Sequence, residues 1–275
     1  MSAADDFLLA FHRAHPGCTS TAFGRGRVGD AGSSYDLLAD CLPADLDAAA
    51  RVLDLGCGDG HLLELLTRRG LAPSQLVGID QSAAELSLAR ARPALDGSTL
   101  AEARASHLPL PDDSVAAVLS HLAFMLMSDV EEVVREVRRV LRPGAVFATV
   151  IGGGPRVGDT FELFLDLLRP ALRDVGEPLP RLGDRRCRSD EGLDELLGVG
   201  AGFSGPPRIE DVTVDLGGTA EEVWASLSLV YEVWRLSPEV LADLRAAFVP
   251  AARALPPGGD AVRCTMFVRL VVAVL

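Results

Sequence analysis

One decapeptide constrains this chain more than any other: Arg51-Val52-Leu53-Asp54-Leu55-Gly56-Cys57-Gly58-Asp59-Gly60. A short apolar run ends at a glycine cluster, and an apolar-periodic stretch of helix formers follows (Leu62, Leu63, Leu65, Leu66). The order is strand, tight turn, helix. Glycines let the backbone turn sharply and approach a ligand with no side chain in the way. The helix behind them offers unpaired N–H groups to electron-rich ligand atoms. Gln75 to Asp80 reads as a second strand ending in a carboxylate. An acid at that place accepts hydrogen bonds from both hydroxyls of a ribose. Together these point to a nucleoside-bearing cofactor at the top of a parallel sheet.

The glycine spacing narrows the choice of cofactor. Gly56, Gly58 and Gly60 form G-x-G-x-G, whereas a dinucleotide fingerprint needs G-x-G-x-x-G. A Walker loop needs Lys and Ser or Thr after its last glycine; His61 and Leu62 stand there instead. Asp54 and Asp59 make the turn acidic, which suits a ligand carrying ammonium and sulfonium charge better than a pyrophosphate.

With these features the segment resembles the class I S-adenosylmethionine-dependent methyltransferases, whose first motif looks like V-L-D-L-G-C-G-x-G. Gly78-Ile79-Asp80 resembles their ribose-binding acid, Leu108-Pro109-Leu110-Pro111-Asp112-Asp113-Ser114 the turn before their fourth strand, and Val140-Leu141-Arg142-Pro143-Gly144 the turn into their fifth. The resemblance covers Arg51 to Ile151. It implies a doubly wound, mostly parallel α/β sheet of seven strands in the order 3-2-1-4-5-7-6, closing on an antiparallel pair and carrying a helical cap. The cofactor it implies is S-adenosylmethionine, held by Asp54, Gly56, Cys57, Gly58, Asp80, Gln81, Ser106, His107, Leu108 and His121. Of these, Asp54 is expected to brace the glycine turn through backbone N–H groups. One family feature is missing. Relatives often place an adenine-accepting Asp four residues before the L-P turn, where this chain has Arg104, which only donates. Ser106, His107 or a nearby carbonyl would substitute.

His121 ends the fourth strand, at the edge where such folds place their chemistry, and reads either as a general base or as a positioning residue. Met125 follows it toward the methyl acceptor. Trp224 and Tyr231 fall on one face of a helix expected over 219–235, and Phe23 and Arg25 lie in a Gly-rich segment expected to be loop and lid. These four read as a substrate wall, or as plain packing and solvated surface.

The 275 residues are read as one domain: an N-terminal helical cap over 1–43, a cofactor-binding core over 51–151, and substrate-side helices with the last two strands over 157–254. Gly152-Gly153-Gly154-Pro155 is expected to break the chain after the fifth strand. The five scattered cysteines show no C-x-x-C pair, so no metal site or disulfide framework is signalled; His12 and His15 share a possible helix end with Cys18 nearby, but no third ligand joins the histidine pair at a recognisable spacing. No apolar run approaches the ~18–20 residues that cross a membrane, and the acidic N-terminus does not resemble a secretory signal, so a cytoplasmic protein without a membrane partner is expected. Net charge is −13, with Arg as the only strong base. That balance disfavours nucleic acid, which rewards phosphate neutralisation. The expected activity is methyl transfer to an O, N or C nucleophile of a small metabolite, in secondary metabolism. The alternatives are a peptide or protein methyltransferase, and a non-catalytic cofactor-binding member of the family.

Overall fold

The computed structural model describes residues 2–30, 32–44, 46–155, 158–173, 175, 178–256 and 258–275. The chain begins with three helices, α1 (Ala3–Ala14), α2 (Cys18–Phe23) and α3 (Ser34–Ala39). Strand and helix then alternate: β1 (Val52–Leu55), α4 (His61–Arg68), β2 (Leu76–Asp80), α5 (Ala83–Arg90), β3 (Thr99–Glu102), β4 (Val115–His121), α6 (Val130–Val140), β5 (Leu141–Pro155). The remainder is α7 (Thr160–Ala171), α8 (Asp190–Leu197), β6 (Arg208–Asp215), β7 (Gly218–Thr219), α9 (Ala220–Leu227), α10 (Pro238–Ala254), β8 (Ala261–Val262) and β9 (Thr265–Val274).

Seven strands form one sheet in the order β3-β2-β1-β4-β5-β9-β6. β1 to β5 pair in parallel, and β9 runs antiparallel between β5 and β6. This is the expected order, because β9 is the last long strand and β7 and β8, distant in sequence, form only a two-residue antiparallel pair apart from the sheet. β1 is buried along its whole length, as a central parallel strand covered on both faces must be. One face packs on α6 and α8 through Val133, Val137, Leu193 and Leu197; the other packs on α3 and α4 through Leu38, Leu62, Leu63 and Leu66. A third core, with Phe161, Phe164, Trp224, Leu227 and Phe248, holds α7, α9 and α10 together beside the sheet.

Three expectations change. Residues 18–23, read as loop, form α2: Gly17 starts it in the left-handed conformation, and burial of Cys18 outweighs the modest helix propensity of Cys-Thr-Ser-Thr. The helix expected over 219–235 ends at Leu227, where the chain folds back in turns and carries Tyr231 and Trp234 against Phe7 and Phe11 of α1. β5 runs past the glycines to Pro155, because β9 pairs with it that far through a register shift between Gly152 and Gly154.

Candidate active site

The glycine turn is held by its neighbour strand. The N–H groups of Gly56 and Cys57 both donate to the Ile79 carbonyl, at 2.8 and 3.1 Å. Gly56, Gly58 and Gly60 all have positive φ, and a Cβ on Gly56 would stand 2.5 Å from the Ala123 methyl. Ser120, beside His121, donates from Oγ to the Leu55 carbonyl and accepts from the Phe124 N–H, which joins the ends of β1 and β4. The carboxyl ends of the central strands thus meet at one cavity. Of the site residues named from the sequence, Asp54, Gly56, Cys57, Gly58, Asp80, Gln81, Ser106, His121 and Tyr231 line it. His107, Leu108, Phe23, Arg25, Met125 and Trp224 do not.

Those six have other places. Leu108 is buried, with its N–H donating to Glu136, and His107 is exposed. Trp224 packs on Phe164 and Phe248 in the cap core, which is the packing alternative of the two readings open for it. Arg25 pairs with Glu222 on the exposed surface at 2.9 Å. Met125 accepts the Gly152 N–H at Sδ. Phe23 stands edge-on to His121, at 6.0 Å between ring centres.

The cavity is acidic. Asp5, Asp54, Asp59, Asp80 and Glu85 all line it. Asp80 accepts the N–H groups of Gly58 and Ser82 on its two oxygens, at 2.9 and 2.8 Å; burial still raises its pKa against these bonds. Asp54 does not brace the glycine turn as expected. Its Oδ2 is buried without a hydrogen-bond partner, and burial, then Asp80 and Asp59, push its pKa well up. A buried carboxylate oxygen with no donor is costly unless a ligand supplies one.

His121 is 6% exposed. Its Nε2 is 2.9 Å from Ser34 Oγ, its Nδ1 has no partner, and its ring stacks on Tyr35 at 3.6 Å. Burial, with a smaller contribution from His61, lowers its pKa to about 3. The imidazole is therefore neutral at working pH, and its basicity is far below that of a general base tuned to neutrality. Tyr35, which no sequence motif singles out, lines the cavity between the rings of His121 and His61.

α1 closes one side, and most of its contacts come from residues the sequence did not single out. Asp5 pairs with Arg104 at 2.8 Å and accepts from Ser128 and from the Ser2 N–H. Burial alone would raise the Asp5 pKa; the hydrogen bonds from Arg104, Ser2 and Ser128 outweigh it and hold the value down to about 2. His12 Nδ1 lies 2.8 Å from Glu85 Oε1, and Glu85 Oε2 accepts the Gly17 N–H. Ser20 donates to Asp59, which also pairs with Arg92. Apart from the local Ser2 contact, only tertiary folding brings these partners together, since they lie 33 to 123 positions apart in the chain.

The comparisons fall on the same region. The family described as "Methyltransferase domain" matches residues 53–149. The chain is 37% identical over 100 residues to the malonyl-(acyl-carrier protein) O-methyltransferase of Methylococcus capsulatus, covering 36% of this chain and 36% of that protein. It is 39% identical over 99 residues to the 2-phytyl-1,4-naphtoquinone methyltransferase of Synechococcus elongatus, covering 34% and 42%. The chain thus spans less than half the length of these curated relatives. Among solved structures, phosphoethanolamine N-methyltransferase 2 of Haemonchus contortus, in complex with phosphomonomethylethanolamine and S-adenosylhomocysteine, superposes with a TM-score of 0.58 at 16% identity, covering 100% of this chain and 60% of that one. The 4+2 cyclase SpnF superposes at 0.52 with 22% identity, covering 87% and 78%. At these identities the likeness is one of fold. Residues 53–149 thus match a methyltransferase-domain family, and the sheet they help to build has the strand order that the resemblance to class I methyltransferases implied.

Proposed function

We propose that this protein is an S-adenosylmethionine-dependent methyltransferase acting on an O, N or C nucleophile of a small metabolite. The observation that carries the reading is the acidic cavity at the carboxyl edge of β1, β2 and β4, with Asp54 Oδ2 buried and unpartnered in it. A cationic amino-acid moiety with a sulfonium supplies the missing donor and the balancing charge; a pyrophosphate would face five carboxylates. Asp80 would take the ribose hydroxyls, Gly56 and Gly58 the close approach of the cofactor chain, and Gln81 and Ser106 the adenine side. When bound, this cofactor supplies an electrophilic methyl group on a sulfonium, which is already a good leaving group.

The protein then has to orient the acceptor and exclude water, and alignment of this kind contributes up to ~7–11 kcal/mol. Tyr35 and His121 form a stacked apolar wall with a neutral imidazole, which fits a positioning role for His121. α1 shields the cavity from solvent through the Asp5–Arg104 and His12–Glu85 pairs. This enclosure and the net charge of −13 favour a small acceptor over nucleic acid or an extended peptide. The quinone specificity named for one relative agrees with a small acceptor. Among the described residues no helix is long and apolar enough to cross a membrane.

Calorimetry tests the reading. S-adenosylmethionine or S-adenosylhomocysteine should bind with micromolar affinity, and Asp80→Ala should weaken it by roughly tenfold to a hundredfold, the equivalent of ~1.5–3 kcal/mol for a charge-assisted hydrogen bond. Absence of binding, or equal binding of NAD, would overturn the assignment.

A further inference from the structure

The least expected cluster lies at the cavity rim. His12 in the last turn of α1, Cys18 at the first position of α2 and Glu85 in the first turn of α5 each present one donor atom, and the three atoms lie within 4.8 Å of one another. Cys18 and Glu85 are buried and His12 is half-buried. We propose that these residues form a binding site for one divalent transition-metal ion of the zinc class, with three protein ligands and a fourth position open to the cavity.

The donor set carries the first part of the argument. Thiolate, imidazole and carboxylate are the ligands zinc-class ions take, and three protein ligands with one open position is a standard zinc arrangement. Bond lengths of ~2.0–2.3 Å about a tetrahedral centre imply ligand separations of about 3.4–3.6 Å. The His12 Nδ1 to Glu85 Oε1 distance is 2.8 Å and all separations are within 4.8 Å, so side-chain shifts of about an ångström complete the geometry.

The surroundings carry the second part. Metal ligands are held by partners on their far sides. Glu85 Oε2 accepts the Gly17 N–H at 2.9 Å, which leaves Oε1 toward the cluster. His12 Nε2 lies 3.4 Å from the Tyr231 hydroxyl, which leaves Nδ1 toward it. Cys18 Sγ makes a weak contact with Thr19 Oγ1 at 3.9 Å and neighbours His12 within the cluster. His12 and Glu85 both line the cavity, so the open position faces it. Binding is balanced simply: the ion takes the place of the proton between His12 and Glu85 and of the thiol proton on Cys18, and both protons leave to solvent. An ion here would tie α1 and α2 of the cap to α5 of the core.

Cobalt(II) is the probe. Titrated into reduced, chelator-treated protein, it should bind one per chain and give a sulfur-to-cobalt charge-transfer band with the visible bands of a four-coordinate site. Cys18→Ser should abolish the charge-transfer band and weaken binding by more than about a hundredfold, beyond the 10–100-fold that outer contacts contribute. Cys187→Ser and Cys264→Ser should keep it. Zinc should raise the thermal midpoint of the wild type but not of His12→Gln. A measurement on the wild type alone covers the case of a misfolded variant: zinc should slow alkylation of Cys18 by iodoacetamide, read by peptide mass spectrometry. No charge-transfer band, a band that survives Cys18→Ser, or alkylation of Cys18 unaffected by zinc would each overturn the proposal.

Discussion

Replacing His121 with Gln should remove a defined part of the protein's acid sensitivity. The imidazole is buried with a folded-state pKa of about 3, against 6.5 for an ordinary histidine. Between these values the unfolded chain binds a proton that the folded chain refuses. Stability contributed by this group is therefore fully present above pH 6.5 and falls as pH drops toward 3. The slope is about 1.36 kcal/mol per pH unit, which gives a loss of about 2 kcal/mol between pH 7 and pH 5 from His121 alone.

The assay is urea unfolding of wild type and His121→Gln at pH 7 and pH 5, with the slopes of the transitions compared to check that both remain two-state. The Gln variant loses stacking on Tyr35, so it is expected to be less stable at pH 7. The informative quantity is the difference in pH dependence. Carboxylates common to both proteins cancel, and the wild type should lose about 2 kcal/mol more than the variant on acidification. Equal losses would mean that the imidazole titrates as it does in water, and the reasoning from its burial and from neighbouring His61 would be wrong. In that event a base role near neutrality would return.

Other changes separate the site from its supports. Trp224→Ala should cost about 3–5 kcal/mol in unfolding free energy through loss of packing on Phe164 and Phe248, and residual folded protein should bind cofactor with unchanged affinity by calorimetry. Asp54→Asn removes the anionic partner expected for the cofactor's ammonium group, and should weaken S-adenosylhomocysteine by roughly tenfold or more. Asp5→Asn should loosen α1 by about 1–2 kcal/mol, seen as faster amide exchange over residues 3–14 while β1 and β4 stay protected. Gel-shift assays at physiological salt should show no retention of RNA or DNA, in keeping with a charge of −13.

The parts of the fold that were legible are those where local pattern and tertiary structure agree. α10 begins at Pro238 and ends at Ala254; its start is legible in the sequence, because Ser237 caps it and Pro238 starts it. β2 and the glycine turn were legible for a similar reason: only glycine accepts the positive φ at 56, 58 and 60 without strain. The misreadings occur where distant contacts decide. Tyr231 falls on one face of an ideal helix with Trp224, but the helix ends at Leu227; one residue then packs in the cap core and the other on α1. Glu85 reads locally as an ordinary first-turn acid, and its partners His12 and Gly17 lie 73 and 68 residues away. No spacing rule reaches across that distance.

The same distance explains Arg104. Relatives of the resembled family often carry an acid at this position, and from sequence the substitution reads as a lost acceptor. In the structure the guanidinium pairs with Asp5, whose carboxylate itself lines the cavity. A carboxylate is thus present at that wall, but α1 delivers it rather than the segment before β4. The exchange has a consequence for assembly. An acid at residue 104 would be in place whether or not the cap is closed, whereas Asp5 reaches the wall only when α1 is docked, with Arg104 and Ser128 holding it. The contact predicts that cofactor affinity and the docking of α1 are coupled through Asp5. Removing Arg104 should act on both together: Arg104→Ala leaves Asp5 buried beside Ser128 without its cation, which penalises the docked state of α1. Cofactor affinity and amide protection of α1 should fall in parallel across a series of Arg104 and Ser128 variants. A variant that frees α1 while cofactor affinity stays at the wild-type value would show that the two are independent.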